Sequence, residues 1–177
     1  MRPGFMFLTI LVATAPAFGA DAVCTGATEA AKKLITTPAH AYLSRTMGSR
    51  PNQTELSEII YTGGINGAIF VMLKGQWKRS PATPAEMLKQ EEENIRDSKS
   101  SCRYLRDEVV DGEPARVYQI HSDNDGIIED ATAWISKSRG LPLKQEIDMD
   151  VGGGASGKSH TSTRYEYSNI RPPEGVK

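Results

Sequence analysis

Past its first twenty residues the chain has no apolar run long enough to cross a bilayer, so no stable membrane insertion is expected of the remainder. A dominant charge is missing too. Its 21 Lys and Arg and 22 Asp and Glu are interspersed, which leaves no basic footprint for nucleic acid and no strong steering field. Cysteine is scarce: there are two, outside any C-x-x-C pair and without a histidine nearby in sequence. The three histidines, His40, His121 and His160, stand singly on separate segments, and neither H-E-x-x-H nor G-x-S-x-G occurs. No metal, no cofactor and no catalytic constellation are expected, and the chain reads as non-enzymatic.

What is present begins with an export signal. Residues 1–20 carry an early arginine, an apolar stretch over 5–15 and then small residues, the layout of a secretory signal peptide, with cleavage expected within 17–22. The residues before Cys24, namely Asp21, Ala22 and Val23, do not suit lipoprotein processing, so Cys24 is read as an ordinary mature residue. The protein is expected in the periplasm or outside the cell. A disulfide between Cys24 and Cys102 is the economical reading in an oxidising compartment, with a reactive or metal-binding thiol pair as the alternative. Residues 21–177 are enough for one domain and too few for two.

Hydropathy patterning predicts mostly strands. A short amphipathic helix is expected over 27–35, ended by Pro38, and then strands over 39–47, 55–61, 68–73 and 76–80. Thr83-Pro84-Ala85-Glu86 has the form of a capping box with proline at the first helical position, so a second helix starts there and runs toward Lys99. Met87, Leu88 and Ile95 are its inward residues. Further strands are expected over 102–110, 115–122, 129–137, 141–150 and 160–169. In the stretch 131–150, Ser138-Arg139-Gly140 supplies a turn. Beyond it Leu141, Leu143, Ile147 and Met149 share one parity, while Lys144, Glu146, Asp148 and Asp150 share the other. That is the signature of an antiparallel sheet with one face in water. The fold class predicted is α+β: a large meandering antiparallel sheet with one helix before it and one inserted.

Two motifs invite chemistry. Residues 152–159 satisfy the expression G-x-x-x-x-G-K-[ST], but a phosphate loop needs a helix starting at its lysine, and here the chain alternates like a strand. Lys158 is therefore read as an accidental match. Asp148 and Asp150 share a strand face that is expected to be solvated, which provides no cleft for acid/base work. Trp77 and Trp134 are core residues by default. The alternative places them around a cavity with Ile69, Val71, Leu141, Leu143, Ile147 and Met149, where rigid aromatics and adaptable methionines suit an acyl chain.

Several phrases carry a family likeness. They are the strand from Ile69 followed by Lys74-Gly75-Gln76-Trp77, then Ala133-Trp134-Ile135-Ser136 with Arg139-Gly140-Leu141-Pro142-Leu143, and finally Arg164-Tyr165-Glu166-Tyr167-Ser168-Asn169. Together they resemble LolA-like periplasmic carriers and their small exported relatives. The resemblance implies an open, strongly curved antiparallel sheet, a half-barrel with helices packed on its concave side, and lipoprotein acyl chains held there in the best-known members. The function expected is binding of a hydrophobic ligand, a lipid or lipidated protein, between sheet and helices. A module with a dry core that docks other proteins is the alternative, and the sequence names no protein partner.

Overall fold

A computed structural model describes residues 20–97 and 100–176. Helix α1 (Ala20–Thr36) leads into strands β1 (Ala39–Met47), β2 (Arg50–Tyr61), β3 (Ile69–Leu73) and β4 (Gln76–Arg79). Helix α2 (Pro84–Asp97) follows, and then β5 (Ser100–Val110), β6 (Glu113–Asn124), β7 (Ile127–Ser136), β8 (Pro142–Asp150) and β9 (Lys158–Glu166). All nine strands form one antiparallel sheet in the order β4-β3-β2-β1-β9-β8-β7-β6-β5. Because β9 inserts between β1 and β8, it zips two hairpin meanders into one ribbon, and β4 and β5 are left as open edges. The chain crosses from one edge to the other through α2. The α+β half-barrel expected from the sequence is the architecture found.

Local chemistry fixes the helices. At the start of α2, Thr83 Oγ1 accepts the Glu86 amide at 3.2 Å while Glu86 Oε2 accepts the Thr83 amide at 2.8 Å, a reciprocal cap. The Thr83 amide, together with the Thr83 hydroxyl that donates to Glu86 Oε2 at 2.9 Å, holds the Glu86 carboxyl below its usual range. Pro84 is fully buried, Met87 packs into the core and Leu88 is half-buried. The Ile95 side chain lies outside the described residues, as do residues 1–19 of the export signal expected over 1–20. Helix α1 is longer than expected, starting at Ala20 rather than near residue 27.

Two clusters hold α1 against the sheet. Ala27 and Ala30 meet Tyr118, Ala133 and Ile135, with Cys102 and Ile120 alongside. Further along, Leu34 packs with Ala39, Tyr61 and Ile69, joined by Val71, Met87 and Tyr165. A disulfide links Cys24 of α1 to Cys102 of β5, with Cα atoms 5.7 Å apart across a separation of 78 residues. The cross-link therefore ties the first helix to an edge strand.

The sheet differs from a simple oily-in, wet-out ribbon in one respect. Ala115, Val117, Trp134 and Leu143 form a third buried cluster with Leu105 and Val110, on the face of β5–β8 turned away from α1. The cause is a register shift beside Trp134: Trp134 pairs with Lys144, but Ile135 pairs with Pro142, so Leu143 is the extra residue and swings to the outer face. Lys144 lays its ammonium 4.7 Å from the centre of the Trp134 ring and covers the cluster.

Candidate functional site: a trough between sheet and helices

Strand alternation and the ladder registers place one set of side chains on the helix side of the sheet. Ala39, Ala41, Leu43 and Arg45 come from β1, Ile59 and Tyr61 from β2, and Ile69 and Val71 from β3. Gln145, Ile147 and Met149 come from β8, and Thr161, Thr163 and Tyr165 from β9. The helices cover only part of this surface. Beneath them lies a space of about 760 Å³ bounded by residues including Ala27, Leu34, Met87, Ala131, Ile135 and Tyr165. Beyond their reach a second hollow of about 380 Å³ runs over Leu43, Ile59, Tyr61, Ile147 and Met149. Gln145 and Tyr165 line both, so the two hollows meet at that pair. Each falls within the size range of small-molecule sites.

The trough is mixed in character, with the hydroxyls of Ser159, Thr161 and Thr163 running along β9 between apolar flanks. Tyr165 Oη donates to Gln145 Oε1 at 3.1 Å, and burial pushes the Tyr165 phenol far above its ordinary pKa, with the Tyr61 phenol adding to it. Burial raises Tyr61 as well. These phenols stay neutral at any physiological pH. Glu91 and Glu129 border the space beneath the helices on its β7 side, with Glu129 opposite Met149 across the β7–β8 ladder; burial raises the Glu91 carboxyl, Lys32 opposes the shift and Glu129 reinforces it. Arg45 stands at the outer end, with Nη2 3.3 Å from Ser159 Oγ.

Of the residues singled out in the sequence, Ile69, Val71, Met87, Ile147 and Met149 lie on the helix side, and Ile147 and Met149 line the uncovered hollow. Trp134 and Leu143 sit in the outer cluster. Trp77 pairs with Met72 rather than sharing the face of Val71, and its ring lies 6.1 Å from that of His40, which itself stacks on Tyr42. Neither tryptophan lines the trough. Leu141 is buried at the turn, where its carbonyl accepts the Ser136 amide at 2.8 Å. Leu43, Arg45, Ile59, Tyr61, Gln145 and Tyr165 were not singled out. The alternation of β1, β2, β8 and β9 contains them, yet assigning them to this face required the register.

Each histidine meets a carboxylate on a neighbouring strand: His40 with Glu58 at 2.7 Å, His121 with Asp130 and His160 with Asp148, both at 2.8 Å. No group of three or more His, Cys, Asp or Glu is placed to hold a metal among the described residues. Lys158 opens β9 instead of a helix, and its ammonium lies 3.6 Å from Asp150, so the phosphate-loop expression has the wrong element behind it.

No protein-family model matches the chain, and no curated protein matches it. Among solved structures it is similar to MucB, with a TM-score of 0.50 and 11% identity over 90% of this chain. The chain spans 63% of the length of that MucB structure. MucB in the Pseudomonas aeruginosa MucA/MucB complex aligns with 88% of this chain and 59% of its own, at TM-score 0.46 and 12% identity. A LolA superfamily protein from Nitrosomonas europaea aligns with 83% of this chain and 91% of its own, at TM-score 0.33 and 13% identity. At the level of fold, this chain is similar to MucB.

Proposed function

We propose that the chain is an exported, non-enzymatic protein that binds a hydrophobic ligand, a lipid or the acyl part of a lipidated protein, along the trough. The observation that carries this reading is the mismatch between apolar face and cover. The helix side of the sheet carries apolar side chains on both flanks of β9, whose Ser159, Thr161 and Thr163 interrupt them, yet α1 and α2 seal only part of it, and Leu43, Ile59, Ile147 and Met149 are left half-buried over the outer hollow. Leaving such surface wet forgoes roughly 25 cal/mol per Å² of apolar area, which an acyl chain laid along it would recover. The disulfide fits an oxidising compartment.

An apolar fluorescent dye titrated into the purified chain tests this. Ile147→Asp sets a charge in the hollow at a half-buried position, so the fold should persist while dye affinity falls roughly tenfold or more. Unchanged dye binding in a variant that melts normally would remove the trough as the site.

A docking module is favoured by a different observation. Ile127, Ile128 and Val151 are exposed together near the β6–β7 and β8–β9 connections, an apolar patch suited to a protein surface.

A further inference from the structure

We propose that the trough is polar in sense: it takes a long-chain amphiphile with a carboxylate head, the head on Arg45 at the outer mouth and the tail running inward beneath the helices. This rests on the hydrophobic-ligand reading and adds to it the class of ligand and its direction.

Arg45 is the single charged residue lining the outer hollow among the described residues. Its neighbours there are Leu43, Ile59, Ile147 and Met149, with the hydroxyls of Ser159 and Thr161 beside them. Its guanidinium donates to Ser159 Oγ at 3.3 Å, and among the described residues no carboxylate lies within ion-pair distance of it. Glu55 stands opposite Arg45 across the β1–β2 ladder, but gives its carboxylate to Arg50 at 3.1 Å. Many other basic residues are matched: Lys137 to Asp107, Arg139 to Glu113, Lys144 to Glu146, Lys158 to Asp150 and Arg164 to Asp111. A cation left without a counter-ion at the rim of an apolar hollow, its side chain still reaching water, is an anion receptor beside an acyl-chain surface.

From Ser159 beside Arg45, β9 runs to Tyr165, about 20 Å at a rise of about 3.3 Å per residue, and Tyr165 borders the space beneath the helices, which gives a long tail its track inward. At that far end Leu34, Ile135 and Pro142 line the space with Tyr165 and offer a carboxylate no cation, so an anionic amphiphile lies tail inward with its head left at Arg45. The head is a carboxylate because one planar guanidinium matches one carboxylate through paired donors. A phosphate monoester dianion would need a second cation, and the nearby candidates, Arg50 and Lys158, are held by Glu55 and Asp150.

Displacement of a neutral apolar dye from the purified, delipidated chain by palmitate, hexadecanol and palmitoyl lysophosphatidate tests the assignment, at low salt and with the carboxylate ionised. Palmitate should displace the dye at about one-tenth of the concentration that hexadecanol requires, the ratio a 1.4 kcal/mol contact gives. Arg45→Gln should erase that ratio and leave hexadecanol unchanged, with an unaltered melting temperature because the side chain is exposed. Equal potency of palmitate and hexadecanol, a ratio that survives in Arg45→Gln, or tighter binding of lysophosphatidate than of palmitate would overturn the carboxylate assignment while the hydrophobic-ligand reading stands. Dye that is not taken up, with no amphiphile bound, would overturn both.

Discussion

Glu113 shows how much a single side chain decides at the β7–β8 turn. Its carboxylate accepts from Arg139 Nε at 2.9 Å and from Ser138 Oγ at 3.3 Å, and also pairs with Ser136 Oγ and Arg139 Nη2. Arg139 in turn lies over the Tyr167 ring at 4.8 Å. Arg139 above all holds the Glu113 carboxyl below its ordinary value of 4.5, with Ser136 helping and partial burial opposing. A depressed folded pKa means that the contribution is full above the ordinary value and fades as pH falls from about 4.5 through the folded value. Glu113→Gln should therefore cost about 1 kcal/mol at neutral pH, allowing for solvent screening of a side chain one-quarter exposed, and should flatten the loss of stability in acid. Urea midpoints across the acid range measure both effects. Trp134→Ala is a sharper case. It empties the outer cluster and should cost about 3 kcal/mol or more by urea unfolding, while dye binding in the trough stays unchanged. Parity counting in the sequence assigned Ile147 and Met149 well, since both lie beyond the irregularity. It failed for Leu143 because one extra residue beside Trp134 reverses the count, and nothing in Leu141-Pro142-Leu143 announces that shift.

Among the elements, α1 owes its place to one covalent link and two small-residue contacts. Ala27 and Ala30 let the helix approach Tyr118 closely, and the Cys24–Cys102 bridge anchors its first half to β5. Unfolding without reductant should expose no free thiol. The double variant Cys24→Ser/Cys102→Ser should lose roughly 2–4 kcal/mol by urea denaturation; two titratable thiols in the oxidised protein would remove the bridge. The capping box of α2 was fully legible because its donors and acceptors are local in sequence. The early start of β2 was not. Arg50-Pro51-Asn52-Gln53 reads as loop, but β2 is exposed over that stretch and its pairing with β1 passes through a shift at Thr46 and Met47. Of that stretch only Arg50 has a β1 partner, Met47, so Pro51, Asn52 and Gln53 lie in an irregularity of the ladder that period-two counting cannot place. The sheet edges are defended in ways that the sequence only half reveals: β4 is short and ends in Lys78-Arg79, and β5 is irregular between Tyr104 and Arg106.

At the scale of the molecule, a nine-stranded open sheet presents more apolar surface to its helices than two helices can seal. The strands, their meander and the apolar face were readable from period-two alternation, which depends only on neighbours along the chain. The trough was not, because its walls come from β1, β2, β8 and β9, and only the insertion of β9 brings Leu43, Ile147 and Tyr165 onto one floor. The central claim is that this floor is occupied when the protein works. Organic extraction of the freshly purified chain, followed by mass spectrometry, tests it most directly. The account predicts a long-chain lipid recovered in stoichiometric amount; a lipid-free extract from protein that also fails to take up an added apolar dye would contradict it.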